Sequence, residues 1–215
     1  MGVGDGLMDR YGSPEGAAAY RRKYEGSWIR RASGRREIAR LEWALAEAGT
    51  DGPSLDVPCG AGRLARTILA RAPHVTGVDL SAPMVAEARE ALTAEVAAGR
   101  VDLHTGSADA LAFPDAAFDT VVCWRLLHHL VDRQDRVKVL TELRRVSRRA
   151  VVISFADAGT WKARLQRLKG RNRRCVKLTR EELAAEAREA GLVLGPSWRL
   201  SSVFSLLAAA VLRPA

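Results

Sequence analysis

Cysteine, aromatic residues and long apolar runs are all scarce in this 215-residue chain, and one stretch of it lacks acid altogether. The three cysteines, Cys59, Cys123 and Cys175, are odd in number and have no metal-ligand spacing, which points to a reduced, cytoplasmic protein. The Gly- and Asp-rich N-terminus has no apolar core, so no signal peptide is expected. The longest late apolar run, Phe204 to Leu212, is too short to cross a bilayer and reads as a buried strand. Gly6 stands where a myristoylation signal has Ser or Thr. Aromatics make up 6% of the chain, which leaves few stacking platforms for RNA, and no RNA-binding module is recognisable. No internal repeat or low-complexity linker is visible.

What is present is an apolar share of 47%, enough to exclude general disorder, in a length that suits one α/β domain. The net charge of +9 is concentrated. From Ala158 to Arg180 there is no acid, while Lys162, Arg164, Arg167, Lys169, Arg171, Arg173, Arg174, Lys177 and Arg180 supply nine bases, the whole excess of 34 over 25. A second basic segment, Arg21 to Arg40, carries eight bases against Glu25 and Glu37. The remainder is mildly acidic.

Strands alternate with helices, the pattern of a parallel sheet covered on both faces. Strands are expected near 53–58, 74–79, 101–105, 118–124 and 149–155, with helices near 62–72, 82–98 and 133–147. Ser13 can cap a first helix opened by Pro14, and a second begins near Ser33 with an apolar stripe at Ile38, Leu41, Ala44, Leu45 and Ala48. Thr179 and Glu182 form a capping box for a late helix. The tail, Leu192 to Arg213, reads as an antiparallel hairpin turning near Ser201.

The chemistry is concentrated in Leu55-Asp-Val-Pro-Cys-Gly-Ala-Gly-Arg63 and in Gly77-Val-Asp79. Gly60 and Gly62 let backbone approach a ligand where strand turns to helix, and Asp79, at the tip of the next strand, is placed to accept hydrogen bonds from a ribose. The glycines alone do not separate a dinucleotide from other nucleosides. Asp56 does, because an acid at the mouth of the same strand repels a pyrophosphate and attracts a cation. S-adenosylmethionine has no phosphate and carries an ammonium and a sulfonium. Asp109 follows a third strand, so Asp56, Asp79 and Asp109 can converge at the carboxyl edge of the sheet. All three also suit helix caps or turns.

At these residues the chain resembles the class I S-adenosylmethionine-dependent methyltransferases, particularly the small-molecule branch of ubiquinone and menaquinone biosynthesis. The matching pieces are Leu55 to Gly62, Val75-Thr-Gly-Val-Asp-Leu-Ser81, Ser107-Ala-Asp109 and Phe118 to His129, in family order over roughly residues 35 to 155. The resemblance implies a Rossmann-like, seven-stranded, mostly parallel sheet with helices on both faces and a C-terminal antiparallel hairpin. It implies that Asp56, Pro58, Cys59, Gly60 and Gly62 surround the methionine part of the cofactor. Asp79 and Leu80 would contact ribose and adenine, Asp109 and Ala110 adenine, and Trp124 and Arg125 would line the floor near the methyl group. Two departures stand out: Pro58 replaces a family glycine, and Arg144 to Arg149 runs into the fifth strand without the family's Lys-Pro-Gly-Gly turn.

His128 and His129 are the candidate general bases beside this site, with a structural role as the competing reading. Cys59 and Cys123 read as small buried fillers. Tyr20, Tyr24 and Trp28 recur every four residues and share a face if the helix continues past Gly26, either packed as core or serving as a lid. The expected organisation is one domain, 1–215: a helical lid over 1–50, the cofactor core over 51–157, a basic acceptor-side insertion over 158–180 and a C-terminal helix and hairpin over 181–215. The expected reaction is methylation of a small-molecule or lipid-like acceptor, an anionic one included, most often at oxygen. RNA methylation using the basic segments is the second reading, and a non-catalytic adenosyl-cofactor-binding module the third.

Overall fold

The computed structural model describes residues 28–161, 163, 175–198 and 206–215, together with 13, 15 and 16. Helix α1 spans Trp28–Ala48, and β1 is Ser54–Asp56. The next elements are α2 (Ala65–Leu69), β2 (Val75–Asp79), α3 (Ala82–Ala91), α4 (Thr93–Ala97) and β3 (Val101–Thr105). They are followed by β4 (Phe118–Cys123), α5 (Arg133–Val146), β5 (Ser147–Ala156), α6 (Arg180–Glu189), β6 (Leu192–Trp198) and β7 (Leu207–Pro214). The strands form one sheet in the order β3-β2-β1-β4-β5-β7-β6. Strands β1 to β5 pair in parallel, and β7 inserts antiparallel between β5 and β6. This is the expected doubly covered, mostly parallel sheet with its C-terminal hairpin; the hairpin's turn lies outside the described residues.

Side chains alternate across the central strands, as the pleat requires. Val121, Cys123, Val151, Ile153, Ala208, Ala210 and Leu212 face one core, against Val139, Leu140 and Leu143 of α5 and Leu183 and Ala187 of α6. Val122, Trp124, Val152, Ala209 and Val211 face the other, against Leu41 and Leu45 of α1, Ile68 of α2 and Ala88 of α3. Burial on both faces is why these strands read as continuous apolar runs.

Three boundaries differ from expectation. Helix α1 begins at Trp28 rather than near Ser33. The expected helix over 82–98 is two helices broken at Leu92, where Thr93 Oγ1 donates back to the carbonyls of Arg89 and Glu90 and competes with the helical ladder. Helix α2 is one short turn starting after Gly62, whose φ of +74° is not helical. The capping box at Thr179 and Glu182 forms as expected, and Ser13 Oγ accepts the amide of Gly16.

The amino edge of the sheet is tied by arginines that donate to backbone carbonyls. Arg100 reaches Leu69, Ala72 and Pro73; Arg145 reaches Leu111 and Phe113; Arg148 reaches Ala116, Arg149 reaches Gly49, and Arg213 reaches Glu47. The opposite, carboxyl edge carries the ends of β1, β2, β4 and β5, where an open parallel sheet places its ligand crevice. Among the described residues, no helix is long and apolar enough to cross a membrane.

Candidate active site

Strand β1 delivers Asp56 to the carboxyl edge with its side chain fully buried and both carboxylate oxygens without a hydrogen-bond partner. Burial, opposed by the charge of Arg63 and reinforced by that of Asp79, lifts its pKa to about 8. A buried acid without donors suits an incoming cation that also donates hydrogen bonds, and an ammonium does both. A pyrophosphate would add negative charge beside two acids. The donor set therefore fits S-adenosylmethionine.

Asp79 closes the loop onto β2. Its Oδ2 accepts the amide of Gly60 at 2.8 Å and its Oδ1 the amide of Ser81 at 2.9 Å, leaving further lone pairs on both oxygens. Burial raises its pKa, and the Ser81 and Gly60 amides hold that rise in check. Ser81 in turn caps α3 by accepting the amide of Met84. Gly60 (φ +54°) and Gly62 (φ +74°) both adopt the left-handed backbone that the turn requires. At Gly62 an added Cβ would come within 2.7 Å of Leu92 Cδ1, so that glycine also admits the kink between α3 and α4. Pro58 follows Val57, whose amide donates to the carbonyl of Val122, and Cys59 is buried, its Sγ 3.2 Å from where a Cβ added at Gly77 would stand. Burial first, then the charges of Asp56 and Asp79, push the Cys59 thiol up, as burial does for Cys123; neither is poised as a nucleophile.

Leu80, beside Asp79, is an exposed apolar side chain at the mouth of the cleft. Asp109 lies beyond β3, where its Oδ1 accepts from Ser107 and its Oδ2 from Lys138 at 2.7 Å. Burial pulls its pKa up, but those two donors outweigh it and hold the carboxyl below its ordinary range. The amide of Ala110 donates to the carbonyl of Ser107 at 3.2 Å in the same turn.

Past β4, Trp124 is buried and Arg125 takes a left-handed φ of +64°, its amide donating to Ser154 Oγ at 2.8 Å. His128 and His129 follow in a 3₁₀ turn with ring centroids 4.2 Å apart. His128 is buried with Nδ1 unpaired, and burial, then the neighbouring His129 and Arg125, lowers its pKa to about 3. Its carbonyl accepts the amide of Val176 at 2.9 Å. Asp157 bridges to Leu178. The basic segment thus leaves and re-enters the fold beside His128. Within it Trp161 is exposed, while Lys162 and residues 164–174 lie outside the described residues, as do Tyr20 and Tyr24. Trp28 is placed only as the first residue of α1.

One residue escaped the sequence reading. Glu37 of α1 accepts from Trp124 Nε1 at 2.9 Å and pairs with Arg63 at 3.0 Å. It had counted only as one of two acids in a basic stretch. Its spacing of four from Leu41 and eight from Leu45, which puts it on the buried face, was the available signal.

Comparison with known proteins agrees with this geometry. The methyltransferase domain family matches residues 55–150. A ubiquinone biosynthesis O-methyltransferase of Aromatoleum aromaticum is 34% identical over 184 residues, 78% of this chain and 77% of that protein. A ubiquinone/menaquinone biosynthesis C-methyltransferase of Geotalea daltonii is 29% identical over 109 residues, 49% of this chain and 46% of that one. In fold, the magnesium protoporphyrin IX methyltransferase of Synechocystis PCC 6803, crystallised with S-adenosylhomocysteine, superposes with a TM-score of 0.80 at 19% identity, over 97% of this chain and 98% of that one. Sheet order, glycine turn and paired acids define a Rossmann-like nucleoside-binding α/β enzyme. The chain belongs to the class I S-adenosylmethionine-dependent methyltransferase family, and S-adenosylmethionine is its cofactor.

Proposed function

We propose that this methyltransferase acts on a small-molecule or lipid-like acceptor and transfers the methyl group to oxygen. The unpaired, buried Asp56 carboxyl beside the Gly60–Gly62 turn carries the placement of the cofactor. Asp56 holds its ammonium; Pro58, Cys59, Gly60 and Gly62 wrap the methionine part. The lone pairs left on Asp79 take ribose hydroxyls, Leu80 covers the adenine face, and Asp109 and Ala110 meet the adenine edge. Trp124 and Arg125 form the floor. The choice of oxygen follows the O-methyltransferase relative, which aligns over most of both chains.

When bound, the cofactor supplies an electrophilic methyl group on a sulfonium. The protein's part is to align the acceptor and keep water out, worth roughly 7–11 kcal/mol of barrier, whereas a general base adds about 10²–10⁴-fold. His128, neutral above about pH 3 with Nδ1 unpaired, can accept a hydrogen bond from an acceptor hydroxyl but is a weak base. That favours an acceptor oxygen that is already acidic. His129, whose ring lies 4.2 Å away and tilted by 39°, is the second candidate.

The basic segment over 158–180 is the acceptor-side insertion in this reading, since its two ends bond to each other through Ala158 and Leu178 and its far end bonds to His128 through Val176. Its nine cations suit an anionic acceptor or an anionic lipid surface. Residues 1–50, of which α1 is the described part, act as the lid. Three free cysteines accord with a reducing cytoplasm.

The test is tritiated-methyl transfer from S-adenosylmethionine into fractionated lysate, with lipid, small-molecule and RNA fractions counted separately. Label is expected in the first two. Label confined to nuclease-sensitive RNA, or found in no fraction, overturns the reading. As control, Asp79→Ala should weaken cofactor binding; unchanged affinity contradicts the ribose placement.

A further inference from the structure

A buried acid on α1 has no part in the mechanism above. Glu37 is 4% exposed, and three cationic or N–H groups from two other elements converge on it. Its Oε1 accepts from Trp124 Nε1 at 2.9 Å and lies 3.4 Å from Arg125 Nη1, and its Oε2 lies 3.0 Å from Arg63 Nη2. One turn further along α1, Arg40 is buried with Nε and Nη2 unpaired; burial lowers its pKa, and the charge of Glu37 offsets part of that. One carboxylate therefore ties together the turn after Gly62, the segment after β4 and the N-terminal helix.

Packing alone does not call for this arrangement. A leucine at position 37 would extend the buried face of Leu41 and Leu45 without the desolvation cost of a charge. What the acid adds is geometry: its two oxygens meet the indole N–H of Trp124 and the guanidinium groups of Arg63 and Arg125 at once. In the placement proposed above, on which this inference rests, Trp124 and Arg125 form the floor near the methyl group, and the charge of Arg63 acts on Asp56, which holds the ammonium. The adenosine half is held elsewhere, by Asp79, Leu80 and Asp109.

We propose that Glu37 is a positioning residue that couples α1 to the amino-acid end of the cofactor pocket by fixing Arg63, Trp124 and Arg125, without itself touching the cofactor. Two probes separate this role from a general structural one. S-adenosylhomocysteine carries the amino-acid tail, and 5′-methylthioadenosine has the same thioadenosine group but no tail. Both are titrated calorimetrically into wild type, Glu37→Gln, Trp124→Phe and Asp79→Ala.

Glu37→Gln should weaken S-adenosylhomocysteine about tenfold and 5′-methylthioadenosine by no more than about twofold, the effect of removing one charge-assisted hydrogen bond that supports only one half of the ligand. Trp124→Phe, which removes the indole donor together with its five-membered ring and leaves one aromatic ring in place, should show the same selectivity at about threefold. Should Glu37→Gln fail to fold, Trp124→Phe decides alone. Equal losses for the two ligands, or no loss for S-adenosylhomocysteine, overturn the proposal. Asp79→Ala should weaken both ligands together, because they share the ribose. If it weakens neither, the cofactor placement itself fails, and the inference falls with it, whatever Glu37→Gln does.

Discussion

Asp56→Asn tests the assignment of the cofactor site through protons. The Asp56 carboxyl is fully buried and unpaired, and its pKa is lifted from 3.8 to about 8, chiefly by burial. A rise of about 4 units corresponds to roughly 5 kcal/mol between protonation states. Because the folded pKa lies above the unfolded one, the stability this group contributes is fully present below about pH 4 and is lost as pH rises through about 8. An ammonium ligand requires the ionised form. With a pKa of about 8, roughly one site in ten is ionised at pH 7 and one in a hundred at pH 6, so affinity should climb about tenfold per pH unit and level off above 8. Below pH 7 nearly one proton should leave for each ligand bound. The assay is calorimetric titration of S-adenosylhomocysteine from pH 5.5 to 8.5 in buffers of differing ionisation enthalpy. Asp56→Asn should flatten the pH profile, remove the buffer dependence, and bind at least about 30-fold more weakly at pH 8, the loss expected for one buried charged partner. Unliganded, it should melt above the wild type at pH 8 and converge with it at pH 4. A wild-type affinity flat in pH, with heats independent of buffer, refutes the assignment.

Gly62→Ala meets both a φ of +74° and Leu92 Cδ1 at 2.7 Å; it should cost about 1–3 kcal/mol in thermal unfolding, and combined with the cavity-forming Leu92→Ala it should cost less than the two single changes summed. An unchanged melting temperature would contradict the tight approach. Arg136 and Glu186 form a buried bidentate pair at 2.6 and 3.0 Å, so Glu186→Gln should lose about 3–5 kcal/mol in urea denaturation. The double change Arg136→Met with Glu186→Leu should recover some of this but not all, since Arg136 also donates to the carbonyls of Leu130 and Val131. His128 has a folded pKa of about 3, below its ordinary 6.5, so its contribution to stability is lost as pH falls from about 6.5 through 3. His128→Gln should narrow the gap between urea midpoints at pH 7 and pH 4; an unaltered gap would mean that the imidazole is not held neutral.

The parallel core was legible because each strand is a short apolar run bounded by turn residues, and the acids at 56 and 79 fall at the ends of neighbouring strands, whereas Asp109 is taken up by Ser107 and Lys138. Strand order in the tail was harder. A hairpin does not announce which arm joins the sheet, yet the composition held a clue: Leu207 to Leu212 is wholly apolar and sits inside, whereas Gly195 and Pro196 mark β6 as the edge. The break at Leu92 depends on a hydroxyl at Thr93 bonding backwards, which apolar periodicity cannot register. In the site, the phosphate-free logic of Asp56 came from charge alone. Glu37 did not, because charge counting places an acid among arginines at the surface, and only the three-dimensional convergence of Arg63, Trp124 and Arg125 makes it a buried hub.

The arginine clasps along the amino edge bear on how this enzyme can change. A strand of five or six residues separates them from the cleft by about 17–20 Å, well beyond the roughly 7–10 Å over which substitutions normally interact. Mutations at the two edges should therefore combine additively, the changes at Arg100, Arg145, Arg148, Arg149 and Arg213 adding to those at the opposite rim. In an enzyme arranged this way, whatever a change at the rim costs in stability can be offset at the clasps without disturbing the rim itself.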